Sequence, residues 1–276
     1  MKNTYRKARC FAICYIRIVK ENDILGRAAG MSFYVITSFF PVLCLIFLAS
    51  AYLSLNVEEL YMYLMDFFPR NVGVVISDVL KNVKFDKTFI ALLAGMSIWT
   101  MSGALLVASR ALNAFYGIKE ERNFIVLRII AILHAFLFLI LSLSTMILSV
   151  FGDAVYILLT EFFSSYGVID LWQTLRYVIL LVIVVFVLAC FYKYIPGKKI
   201  KFLRVLSGSA VTTVVWIASS YVFAFYINNF SKHHILYGSI TGVIVLISWI
   251  YLSCAMLLLG GAVNATWEKM KNLQKK

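Results

Sequence analysis

The chain is 276 residues long, 62% hydrophobic and only 14% charged, with a mean hydropathy of +0.90. Ordinary soluble domains are about 45–50% apolar and about 25% charged, so a water-soluble globular domain is a poor fit and an integral membrane protein a good one. Lys+Arg 26 against Asp+Glu 13 leaves a net charge of +13, which reads as nucleic-acid binding in a soluble chain but as basic cytoplasmic loops in a membrane protein.

In chain order, residues 1–27 form a basic, amphipathic segment. A helix over residues 5–20 puts Arg6, Arg9, Arg17 and Lys20 on one face and Phe11, Cys14, Tyr15 and Ile18 on the other. Such a helix lies on anionic lipid or packs as a cap on the bundle, and both readings stay open. Residues 28–265 then hold six runs that approach or exceed the roughly 20 apolar residues needed to cross a bilayer. They are Ala28–Leu53, Thr88–Ser109, Ile129–Phe151, Tyr177–Tyr192, Val205–Ile227 and Ser239–Ala265. The long first outer connection, 54–87, carries Val57, Leu60, Tyr61 and Leu64 at helical spacing and, after Pro69, Val72, Val75, Ile76 and Val79. That pattern predicts two amphipathic helices on the outer face, and Val155, Leu158, Leu159 and Phe162 repeat it in the third connection. Residues 266–276 form a basic tail. The fold expected is all-α: a polytopic membrane protein with six transmembrane helices and amphipathic helices on its outer face.

Lys and Arg crowd the N-terminal segment, the second connection (Arg110, Lys119, Arg122, Arg128), the fourth (Lys193, Lys198, Lys199, Lys201, Arg204) and the tail. By the positive-inside rule both termini are therefore cytoplasmic. With topology accounting for the charge, no nucleic-acid partner is expected. Five cysteines, an odd number, with no His beside Cys10 and Cys14, imply neither a disulfide framework nor a metal site.

The spans hold no Asp, Glu, Lys or Arg away from their ends, which argues against coupling through paired carboxylates. His134 is the one ionisable group well inside; it is a gate or proton carrier, or else a neutral imidazole bonded to a hydroxyl or carbonyl. Ser32, Thr37 and Ser38 before Pro41, and Ser102 beside Trp99, either line a polar cavity near the midplane or glue helices together. Pro41 frees a carbonyl one turn earlier and can bend its helix there. At one membrane level Arg27, Arg110, Asn113 and Asn264 offer donors to an anionic headgroup, with helix anchoring and capping as the plainer alternative. No Walker loop, zinc-type HExxH or GxSxG elbow is present. No catalytic, cofactor-binding or metal-binding residue is therefore expected, and the chain reads as a non-enzyme without cofactors.

Arg27-Ala28-Ala29-Gly30-Met31-Ser32-Phe33-Tyr34, followed by Ser38-Phe39-Phe40-Pro41, resembles the opening signature of the YihY/BrkB family of bacterial inner-membrane proteins. Trp99 and Ser102 leading to Asn113, Tyr192-Lys193-Tyr194-Ile195-Pro196, Tyr237-Gly238-Ser239, and Trp249 running to Asn264 agree in order, over roughly residues 25–265. Val263 departs from the pattern, since a Glu commonly follows Gly-Ala there. The resemblance implies a multi-pass inner-membrane protein of a family linked to virulence, some of whose members carry the label ribonuclease BN. Residues and resemblance together lead to the expectation of a protein that moves or handles an amphiphilic lipid or envelope component without an ATPase of its own. Its expected partners are membrane lipids and that substrate, and oligomeric state stays open. A non-transporting scaffold that binds a partner is the alternative, and a membrane enzyme comes third.

Overall fold

The computed structural model describes residues 2–52, 87–138, 140–141, 166–230 and 240–273. They form seven principal helices, and among the described residues there is no strand. α1 is Lys2–Glu21, α2 Ile24–Tyr52, α3 Lys87–Tyr116 and α4 Phe124–Phe138; α5 is Tyr166–Tyr194, α6 Phe202–Phe230 and α7 Ile240–Leu273. Four stretches within α3, α5, α6 and α7 are long and apolar enough to cross a membrane: Ala91–Tyr116, Leu175–Tyr194, Phe202–Ile227 and Val243–Asn272. Tyr221, Val222 and Phe225 of α6 are each more than two-thirds exposed. An apolar surface turned outward is what lipid, not water, solvates. The protein is thus a multi-pass, all-α membrane protein. The structure accounts in this way for four of the six expected spans. α2 coincides with the first run and α4 opens the third, whose remainder lies outside the described residues, as do the amphipathic helices expected on the outer face.

Helix ends follow local chemistry. Asn22 donates its side-chain amide to Ile18 O at 2.8 Å, and Asp23, at φ 44°, turns the chain from α1 into α2. α3 ends in a Schellman motif: Gly117, at φ 66°, donates its N–H to Ala114 O and Ile118 donates to Asn113 O, both at 3.0 Å. Pro196 stands just beyond the end of α5. Several helices outrun their expected limits, and α5 does so most, beginning at Tyr166 instead of Tyr177. α3 passes Ser109 by two turns, because Ala111, Leu112 and Phe115 continue its buried stripe. α7 continues through the first residues of the basic tail, where Ala265 and Thr266 are fully buried.

The described residues fall into two compact units. One comprises Met1–Asp23, Ala108–Val215 and Leu257–Lys276. Its centre is Leu112, Phe115, Phe191, Tyr192, Val205 and Leu258, none more than 1% exposed. Tyr192 donates its hydroxyl to Leu257 O at 2.6 Å and lies 2.9 Å from Thr212 Oγ1, and a Cβ at Gly260 would run into both side chains. α1 belongs to this unit. Its face of Phe11, Cys14, Tyr15 and Ile18 points inward: Ile18 is 1% exposed, Phe11 rests on Trp267 with centroids 4.8 Å apart, and burial raises the Tyr15 hydroxyl above its ordinary pKa. Of the two readings of this segment, the packed cap is the one that describes its apolar face.

The other unit comprises Ile24–Val107 and Trp216–Met256. In it Tyr34 lies directly over Gly103, and Trp216 stacks near Trp249 at 6.4 Å while donating its indole N–H to Ser253 Oγ at 3.2 Å.

Candidate functional site

In the first unit, a cavity of about 770 Å³ opens where α1, the start of α6 and the end of α7 meet. Its wall combines apolar side chains, Phe11, Trp267, Ile200 and Met270, with cationic ones, Lys7, Arg204 and Lys271. Glu268 is the one acid lining it, and its carboxylate is already engaged. Arg204 Nη1 donates to both its oxygens, at 3.1 and 3.0 Å, and Lys198 Nζ stands 3.8 Å away. Lys198 also lies over the ring of Tyr116, 5.4 Å from its centroid, and Tyr116 lines the cavity too.

Asn264 completes the wall. It is 3% exposed, and its Oδ1 accepts the Gly208 N–H at 3.0 Å. The amide sits so close to the α6 backbone that a Cβ at Gly208 would fall into it, so only glycine permits this approach. Its Nδ2 is buried and has no hydrogen-bond partner among the described residues. A buried donor left unsatisfied costs about 1–3 kcal/mol, a cost that a structure sustains for a reason.

Asn113, also 3% exposed, serves elsewhere in the same unit. It donates Nδ2 to Glu120 and accepts the Gly197 N–H on Oδ1 at 2.7 Å. Glu120 in turn receives Arg122 Nε and Nη2, both at 2.7 Å, and Arg122 caps the end of α5 by donating to Ile195 O at 2.7 Å and Tyr194 O at 3.3 Å. Ser109 adds a hydroxyl to Ile195 O at 3.1 Å. The guanidinium is the main cause that lowers the Glu120 carboxyl to about 2; burial opposes it, and the Arg122 N–H and the Asn113 amide assist. This cluster joins the α3–α4 and α5–α6 connections, and each of its principal groups has a partner inside the protein.

The residues singled out in the sequence therefore separate. Arg110 is exposed while Asn113 is buried, and Asn113 and Asn264 bond to different backbone segments. His134 bridges α4 and α5, with Nδ1 2.8 Å from Ile130 O and Nε2 3.3 Å from Cys190 O. Arg27, Ser32, Thr37, Ser38, Pro41, Trp99 and Ser102 belong to the other unit. There the hydroxyls turn back on their own helices: Ser32 to Ala29 O, Ser38 to Val35 O, Thr37 to Phe33 O and Ser102 to Trp99 O, at 2.8–3.0 Å. Pro41 is buried inside α2, which continues through it, and Trp99 is 61% exposed. Sequence reasoning passed over Lys7, Arg204 and Glu268 as topological charges. The available signal was an acid in the tail among bases, three residues after Ala265, facing a helix that opens with Arg204.

A family model described as Virulence factor BrkB matches residues 15–276. The chain belongs to the BrkB family. Among its relatives, the ribonuclease-like protein YfkH of Bacillus subtilis is 27% identical over 251 residues, covering 90% of this chain and 91% of the relative. A UPF0761 membrane protein of Coxiella burnetii is 24% identical over 276 residues, covering 94% and 93%. Another, from Chlorobium luteolum, is 23% identical and covers 92% of this chain but 59% of its own length. No solved structure matches. In this BrkB protein the α6 and α7 side of the cavity, from Arg204 to Lys271, lies within the matched residues, whereas Lys7 and Phe11 precede them.

Proposed function

We propose that this BrkB protein binds and moves an amphiphilic lipid or envelope component in the bacterial inner membrane, with both termini cytoplasmic and without hydrolysing ATP itself. The observation that carries this reading is the cavity at the α1, α6 and α7 ends, whose wall combines aromatic and aliphatic side chains with cationic ones. An amphiphile matches both kinds of side chain at once. The non-enzymatic reading is supported by the engagement of Glu120 and Glu268. Metal-assisted phosphodiester hydrolysis calls for free carboxylates around a divalent ion, and these two are committed to Arg122 and to Arg204 with Lys198. The test is reconstitution into liposomes with fluorescent phospholipids and labelled envelope precursors. Movement of at least one class above empty vesicles is expected. No movement of any class, together with a stoichiometric partner captured by cross-linking in the membrane, would replace this reading with that of a scaffold.

A further inference from the structure

We infer that the ligand of this cavity bears a phosphate headgroup with net negative charge, and that Asn264 Nδ2 donates to one of its oxygens. The inference rests on the amphiphile reading above and narrows its chemistry. The Asn264 amide is held in one orientation, because turning it would set its NH₂ against the Gly208 N–H that Oδ1 now accepts. Nδ2 is consequently a fixed, buried donor without a partner, on a residue that lines the cavity. A donor alone asks only for an acceptor; the cations around it specify charge. Among the described residues Lys7 and Lys271 have no acid within ion-pairing distance. Arg204 gives only Nη1 to Glu268, so its other nitrogens are available to a second oxyanion, for which the guanidinium fork is well shaped. α6 begins at Phe202, and the N–H groups of its first turn add positive potential at the same wall. Phe11 and Trp267 provide an apolar surface for the chains attached to such a headgroup. A neutral lipid would leave the cations without a counterpart, and free phosphate would leave the aromatic pair without one.

The test titrates the purified full chain in neutral detergent with dihexanoyl phosphatidylglycerol, dihexanoyl phosphatidylcholine and inorganic phosphate, reading binding from the shift in melting temperature. Saturable stabilisation by phosphatidylglycerol is expected, with affinity about tenfold or more above that for either other probe. Asn264→Asp retains an acceptor for the Gly208 N–H and replaces the donor with an anionic oxygen. It should weaken phosphatidylglycerol binding about tenfold or more, read as the shift from the variant's own ligand-free melting temperature, which the buried carboxylate lowers. Lys7→Gln with Lys271→Gln changes exposed side chains only, and should weaken binding about three- to tenfold and flatten its dependence on salt. Wild-type affinity in Asn264→Asp would overturn the assignment, as would equal binding of phosphatidylcholine or of inorganic phosphate; the last would mark a free-phosphate site. If Asn264→Asp does not fold, the double lysine variant decides, and unchanged affinity there overturns the proposal. Loss of headgroup selectivity with lipid still moving in vesicles removes this inference alone, whereas absence of all movement removes the wider reading.

Discussion

Glu120 shows how one carboxylate can hold together the ends of two helices. Arg122 reaches the last carbonyls of α5 while its nitrogens are paired with Glu120, and Asn113 ties the same carboxylate to α3. With the folded carboxyl at about 2 and the unfolded one near 4.5, the unfolded chain binds more protons between those values. The stabilisation is therefore complete above the unfolded value and is lost as pH falls through the folded one. Glu120→Gln should lower stability near neutral pH by about 1–3 kcal/mol, since Arg122 loses its anion. Between about pH 5 and pH 3 the wild-type melting temperature should fall more steeply than that of the variant. Parallel curves for the two proteins in an acid-tolerant detergent would show that this carboxylate carries no such stability. The sequence displayed Glu120 and Glu121 as neighbouring acids and nothing more, because the groups that Glu120 links, Asn113 of α3 and, through Arg122, the end of α5, lie on other segments of the chain.

Among the elements, α1 is seated through its apolar face. Ile18 is buried and Phe11 rests on Trp267, while Arg9, Arg17 and Lys20 stand exposed. Cys14 is half-buried on the inward face and Cys10 exposed, so maleimide labelling of single-cysteine proteins reports whether the helix is seated. Trp267→Ala should raise the labelling rate of Cys14 several-fold, toward that of Cys10, through local opening. An unchanged ratio would mean that Ile18 and its neighbours suffice. The two faces of α1 and the extent of α6 were legible in the sequence because apolar periodicity and run length reflect burial and lipid contact directly, whereas α5 starts well before its apolar run. Pairings were less legible. Arg204 and Glu268 are 64 residues apart and meet only when α6 and α7 close on each other. Likewise Arg110 and Asn113 stand three apart, the spacing of one helical face, but the buried stripe of Ala108, Ala111, Leu112 and Phe115 takes in Asn113 and leaves Arg110 outside.

For the whole molecule, the distribution of Lys and Arg makes orientation a direct prediction. The α5–α6 connection carries Lys198, Lys199, Lys201 and, at the first turn of α6, Arg204; the end of α7 carries Lys269 and Lys271. Cysteine introduced at Asn71 or Tyr166 should react with an impermeant reagent in intact spheroplasts, and cysteine at Lys275 should react only after lysis. The reverse pattern would invert the topology. The cavity also has a bearing on how the protein is made. Its lining comes from the first described helix, through Lys7 and Phe11, and from the last, through Asn264, Trp267 and Lys271. A ribosome delivers the first group long before the second. Until α7 has left the translocon, Trp267 is not there for Phe11 to rest on, and Glu268 is not there to engage Arg204. A nascent chain therefore has no assembled cavity until α7 has been made.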